Sequence, residues 1–341
     1  MAESTYLPLS LAEYESLVGD AEKTRKAFMH TIRDYMPFFD QAIIQAANDG
    51  MGDKGQIITD YPEGEIHGYN EGWGSEVALG NEVRYVCQRR SSSSDVDYDQ
   101  YMDQPEKSRN QWRLYRDQAF SRGFARATVR DIFYGDPSTN PKSCRGILNI
   151  VNPADPVFGS RCIDAGGTTN GKMTDIVLVG WDPASNYLFY PQYGENKGGF
   201  NSSNEGKHEV TRIVDGKPKH YYVLRTDFRF DIGVALYNPL TVVRICNVDT
   251  SKLTKTGRTG ADLIDLLTDA TNLLPDEYKG RCSFYANETI TGALRKQINN
   301  KENVHLTVET VAGRKVTAWD GIPIHKLGND VISNTGNKIE F

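Results

Sequence analysis

The sequence predicts an α+β fold in which a mixed body carries long appendages. Three observations lead there. The first fifty residues read as short helices with no core of their own. Residues 50–94 are rich in glycine and poor in aliphatic side chains. One long helical stripe is then followed by alternating strands with only two further helices, the pattern of an α+β body.

Within the first stretch, Ser10 and Glu13 form a capping box ahead of the stripe Leu11, Tyr14, Leu17 and Val18. Gly19-Asp20 breaks that helix. A second is predicted from Ala21 to Met36, where Pro37 stops it, and a third piece from Phe38 to Ala47. Such short amphipathic helices cannot bury their stripes alone and must dock on the body or on a neighbour.

Glycine then recurs at 50, 52, 55, 64, 68, 72, 74 and 80, between strand-like runs at 56–59 and 82–86. This is the profile of a projecting β-loop. Its large residues, Tyr69, Trp73 and Leu79, are too sparse to make a private core, and an exposed Trp is favoured at interfaces. Together with Arg84, Arg89 and Arg90, which offer charge to a neighbour's acids, they are the predicted intersubunit contacts.

Pro105 is expected to open a long helix running to Tyr134, with Glu106 favouring its N-terminal dipole and Gly135-Asp136-Pro137 ending it. Trp112, Tyr115, Ala119, Phe120, Phe124, Ala127 and Phe133 supply the stripe. Strands are predicted at 174–181, 186–190, 208–214, 219–232 and 240–248. Helices are predicted at 260–274, capped by Thr259, and at 288–299, capped by Asn287. A strand pair at 304–310 and 315–319 follows, and the last residues read as loosely structured.

Composition narrows the function. With 38% apolar and 25% charged residues, the 341-residue chain is a folded protein, and its mean hydropathy of -0.53 suggests much polar surface in extended segments and wet interfaces. A formal charge of -6 argues against sequence-independent DNA binding, which needs a basic surface. Cys87, Cys144, Cys162, Cys246 and Cys282 are odd in number and widely spaced, so no zinc site or disulfide framework is expected. Met1–Ser10 lacks the pattern of a signal peptide, and no apolar run has transmembrane length, so folding in a reducing cytoplasm with no membrane partner is expected.

Three segments imitate functional motifs. Residues 166–172 nearly spell a phosphate-binding loop, but Met173 stands where Ser or Thr must hold magnesium, and a strand is predicted where a helix is required. Asp95, Asp97, Asp99 and Glu106 take positions 1, 3, 5 and 12 of a calcium loop, yet Gln100 replaces the turn glycine. Those acids are expected to lead into the long helix instead. Arg109, Arg113, Arg116, Arg122, Arg126 and Arg130 make that helix basic, for ion pairs rather than phosphate. The histidines at 30, 67, 208, 220, 305 and 325 show no ligand spacing. No catalytic residue, cofactor or metal site is expected.

The order of helical arm, Gly-rich loop, long helix and mixed body resembles tailed-phage major capsid proteins of the Hong Kong 97 fold. Several segments are similar to the epsilon-fifteen-like podovirus group. They run in order: Asp131–Asp136 and Cys144–Ile147, Asp175–Trp181 leading to Phe189-Tyr190-Pro191, Thr226–Ala235, Val243–Asp249, Leu263–Leu267, Phe284–Ile290 and Asp320–Ile324. Leu327-Gly328-Asn329-Asp330 departs from the family ending. The resemblance implies a helical N-arm at 1–50, an extended loop at 51–100, and a spine helix with peripheral domain at 101–145. It implies axial segments at 146–204 and 256–312, peripheral strands at 205–255, and closing strands with a tail at 313–341. It also implies a non-enzymatic subunit that forms hexamers and pentamers of an icosahedral virion shell around double-stranded DNA. A separate scaffolding protein, a portal and room for a decoration protein come with it. No cleaved scaffold domain is expected ahead of the arm. The rival readings are a nucleotide-dependent enzyme using 166–172 and another virion structural protein.

Overall fold

The computed structural model describes residues 9–10, 38–59, 62–193, 200–214, 216–253, 260–298, 306–311 and 314–341. The first two predicted helices lie almost wholly outside these residues. The third is corrected. A single helical turn, α1 (Phe38–Gln41), gives way to strand β2 (Ile43–Ala46), which pairs with β1 (Leu9–Ser10). Phe38 is fully buried, with its ring 5.3–5.6 Å from those of Phe39, Phe133, Trp181 and Tyr285. The segment is thus anchored in the body rather than laid on it.

The predicted hairpin is present as β3 (Gly52–Ile58) and β4 (Gly80–Val86), paired antiparallel along their full lengths. Next come β5 (Gln88–Asp97), α2 (Tyr98–Met102) and the long helix α3 (Arg109–Tyr134). The helix starts four residues later than predicted. Pro105 sits in a turn, its carbonyl accepting from the amides of Ser108 and Arg109, and no acidic residue lies in the first helical turn. The inward side of α3 carries Phe124, Val129, Ile132 and Phe133. A short turn, α4 (Ile147–Ile150), precedes the remaining strands.

Two sheets share the rest. The first runs β1-β2-β8-β10-β5, with β9 also on β10. Here β8 is Asn186–Tyr190, β9 is Phe200–Val214 and β10 is Lys217–Leu236. Phe120, Phe124 and Phe228 stack α3 onto it. The second runs β13-β14-β15-β12-β7-β11-β6. Its strands are β6 (Cys162–Asp164), β7 (Met173–Gly180), β11 (Val242–Asp249), β12 (Cys282–Asn287), β13 (Leu306–Val311), β14 (Arg314–Trp319) and β15 (Ile322–Leu327). Every residue of β7, β11 and β12 is buried, as expected of strands covered on both faces. Along β7, Val177 and Val179 face the core that holds Phe38 and Phe133, while Ile176 and Leu178 face a second core. That second core is covered by α5 (Leu263–Asn272) and α6 (Glu288–Ile298).

β11 belongs to the sheet of β7 and β12, not to that of β9 and β10, while β8, from the 146–204 segment, joins β10. Two further corrections concern ends. The helix expected at 260–274 is Leu263–Asn272, and Asp262 caps it by accepting from the Ile264 amide at 3.0 Å. Thr259 lies outside the described residues. Asn287 does cap α6, accepting from the Ile290 amide at 2.9 Å. The tail is not loose. Val331 and Ile332 are fully buried, Gly336 bridges Met173, and the Ile339 amide and carbonyl both bond the Asn247 side chain.

Candidate functional site

The β3–β4 hairpin is fixed at its root and bare at its tip. At the root, Asp53 is 1% exposed. Its carboxylate accepts from the Tyr187 hydroxyl at 2.5 Å, the Tyr237 hydroxyl at 3.0 Å and the Asn48 amide at 3.0 Å. Burial, and then this carboxylate, push both phenols well above their usual range. Gly55 lies beneath the Tyr237 ring. A Cβ there would come within 2.4 Å of Cε1, so only glycine lets the strand pass. The Tyr85 hydroxyl donates to the Leu236 carbonyl at 2.9 Å, which ties β4 to β10.

Beyond Thr59, whose amide donates to the Leu79 carbonyl, the chain from 62 to 79 has no regular strand, and all of it is exposed. Glutamates hold the loop together. Glu76 accepts from the Gly64 amide, Glu65 from Gly74 and Glu71 from Gly68, at 2.7–3.3 Å. The apolar side chains find no such partners. Ile66 and Tyr69 are completely exposed, Trp73 is 71% and Val77 73% exposed, and Leu79 is 62% exposed. The Trp73 ring lies 5.1 Å from the His67 ring. Several large apolar side chains left exposed on one loop mark it as a candidate interaction site.

Of the residues singled out from sequence, Tyr69, Trp73 and Leu79 share this loop. The three arginines do not, and each makes an ion pair within its own chain. Arg84 on β4 bonds Asp49 at 2.7 Å and, ahead of the smaller effect of Lys54, holds that carboxyl below its usual range. Arg89 bonds Asp231 at 3.3 Å, and Arg90 bonds Asp131. Each lies on a strand, Arg84 on β4 and Arg89 and Arg90 on β5.

The three imitations resolve structurally. Residues 166–172 lead directly into β7, with no helix start to cradle a phosphate. The Gly167 and Gly171 amides donate to the Asn247 and Gly336 carbonyls, the Gly166 amide to the Asp164 side chain, and Thr169 donates to Asp249 at 2.6 Å. In the 95–106 segment, α2 occupies the middle of the would-be calcium loop. Asp97 caps it, accepting from the amides of Asp99 and Gln100, while Asp95 forms a two-pronged pair with Arg225 at 2.7 Å. These acids therefore serve α2 and β10, not the start of α3. On α3, Arg126 pairs with Asp330 at 2.8 Å, Arg113 lies 3.9 Å from Asp117, Arg109 donates to the Gln104 and Met102 carbonyls, and Arg116 stacks on Trp112. Among the described residues, no group of three or more His, Cys, Asp or Glu side chains is placed to hold a metal. No described helix is long and apolar enough to cross a membrane.

Sequence reasoning missed the root. Asp53 and its tyrosine partners are 134 and 184 residues apart in the chain, and no local pattern links them. It also missed Ile66 and Val77, although a glycine-rich loop with isolated apolar residues was the available signal.

Comparison with known proteins gives the context. The structure of bacteriophage Epsilon15 matches with a TM-score of 0.60 at 24% identity, covering 88% of this chain and 86% of that one. The bacteriophage JBD30 capsid aligns at 7% identity with a TM-score of 0.44, over 85% of this chain and 89% of that one. No curated protein sequence matches. The Epsilon15 likeness bears out the Hong Kong 97-type fold. A family model described as major capsid protein GP7 matches residues 20–340, and the chain therefore belongs to the GP7 major capsid protein family.

Proposed function

We propose that this chain forms its icosahedral virion shell, as hexamers and pentamers around double-stranded DNA, by laying the 59–79 loop of each copy on the next. The observation that carries this is the apolar group Ile66, Tyr69, Trp73, Val77 and Leu79, which is exposed on its own subunit while the root beneath it is locked. Burying such a group against another copy yields about 25 cal/mol for each Å² of apolar surface covered, with no enlargement of either core. The contact is heterologous, loop on body, and contacts of that kind close into rings. The subunit acts by assembly and not by catalysis. A separate scaffolding protein, a portal and a decoration protein are its further partners.

The test is Trp73→Ala. Its side chain is 71% exposed, so subunit melting should change by no more than about 0.5 kcal/mol while shell yield falls. A mutant that unfolds before assembling would place the loop in the core and sink the proposal.

A further inference from the structure

The β9–β10 hairpin outruns its sheet. β5 pairs with β10 only from Val223 to Ile232, whereas β9 pairs with it out to Lys217. Residues 209–214 and 217–222 therefore form a two-stranded ribbon, and every residue from 216 to 222 is exposed. Such a ribbon is marginal alone in water. The register sets Arg212 directly opposite Lys219, so the two side chains share a face, and Lys217 follows on the same face. Like charges directly opposite destabilise a strand pair unless something of opposite charge covers them. The ribbon's ion pair, His220 with Glu209 at 3.0 Å, lies on the other face. Among the described residues, Arg212, Lys217 and Lys219 have no acidic partner, and the Asp215 turn side chain lies outside those residues.

The opposite charge sits on the same lobe. Asp99, Asp103 and Glu106, in and after α2, are exposed and form no ion pair among the described residues. Lys207 Nζ lies 4.1 Å over both the Tyr98 and Tyr222 rings, so α2 and the ribbon base are joined. One lobe thus carries a basic face and an acidic face that do not satisfy each other within the chain. Two complementary patches on one subunit make a heterologous contact between copies.

We propose that Arg212, Lys217 and Lys219 of one copy dock on Asp99, Asp103 and Glu106 of a neighbouring copy. This contact is separate from that of the 59–79 loop. The test uses full-length chains assembled into shells. Lys217→Glu with Lys219→Glu, and separately Asp99→Lys with Asp103→Lys, should each leave subunit melting unchanged and lower particle yield by about tenfold or more, because like charges then face each other. Combining all four changes in one chain should restore most of the yield. Unchanged yield in either parent, or no recovery in the combined variant, overturns the proposal. So does a ribbon variant that assembles normally but holds less DNA, which would assign the basic face to phosphates. If a variant fails to fold, wild-type shells grown from mixed 15N-labelled and unlabelled copies decide. A zero-length carbodiimide should join Lys217 or Lys219 to Asp99, Asp103 or Glu106 of a differently labelled copy, and absence of that cross-link is equally fatal.

Discussion

Acid should weaken the subunit through one histidine. His325 on β15 is 5% exposed, stacked on the Tyr285 ring at 5.7 Å, and its Nε2 has no hydrogen-bond partner among the described residues. Burial lowers its pKa from 6.5 to about 4. The folded-state value is depressed, so between pH 6.5 and 4 the unfolded chain takes up a proton that the folded chain refuses. Stability is therefore fully present above 6.5 and is lost as the pH falls towards 4. A difference of about 2.5 pKa units corresponds to about 3 kcal/mol in full, and to about 2 kcal/mol at pH 5. The assay is urea unfolding of soluble subunits at pH 7.5 and pH 5.0, wild type against His325→Phe. Phenylalanine keeps the stack and cannot be charged, and any overpacking it introduces is present at both pH values and cancels. Burial raises the pKa of Asp117 and of Asp175, and their contributions cancel in the same way. The wild type should lose about 2 kcal/mol more than the variant. Equal losses would show that the imidazole accepts its proton in place, and would refute the argument from burial.

Three other outcomes follow from the geometry. Asp53→Ala strips the buried Tyr187 hydroxyl and the half-buried Tyr237 hydroxyl of their acceptor, so stability should fall by about 2–4 kcal/mol, and hydrogen exchange at 52–58 should accelerate. Lys172→Ala should leave calorimetric titrations with ATP as flat as the wild type's, since no helix start follows the loop. Removing residues 331–341 exposes the sites filled by Val331 and Ile332. That should cost about 3–6 kcal/mol and be visible as faster limited proteolysis of the soluble subunit.

Local periodicity made part of this architecture legible. The hairpin strands and the Asn287 cap follow rules that act over a few residues, and the structure holds both, whereas of the stripe predicted on α3 only Phe124 and Phe133 are buried and Tyr115 and Ala119 are exposed. Ile43–Ala46 was misread because a short apolar run has no period to separate strand from helix, and only β1 and β8 on either side make it a strand. The tail was misread for a similar reason. Two apolar residues, Val331 and Ile332, carry no pattern, yet both fill the first core. The sheet membership of β11 depends on β6, β7 and the turn of its chain, none of which is written in its own eight residues. At the loop, composition revealed what must be covered, but the residues that hold its root are brought together only by the fold.

A locked root under a bare loop behaves as a lever. The seven paired residues of β3 and β4 span about 23 Å at ~3.3 Å per residue. From the Asp53 fulcrum to Ile58 the arm is about 17 Å, and a rotation of roughly 10° then carries its end some 3 Å, by the same strand-rise arithmetic. Copies at fivefold and sixfold positions meet their neighbours at different angles. Such a lever would let one sequence reach both kinds of neighbour with its two cores untouched.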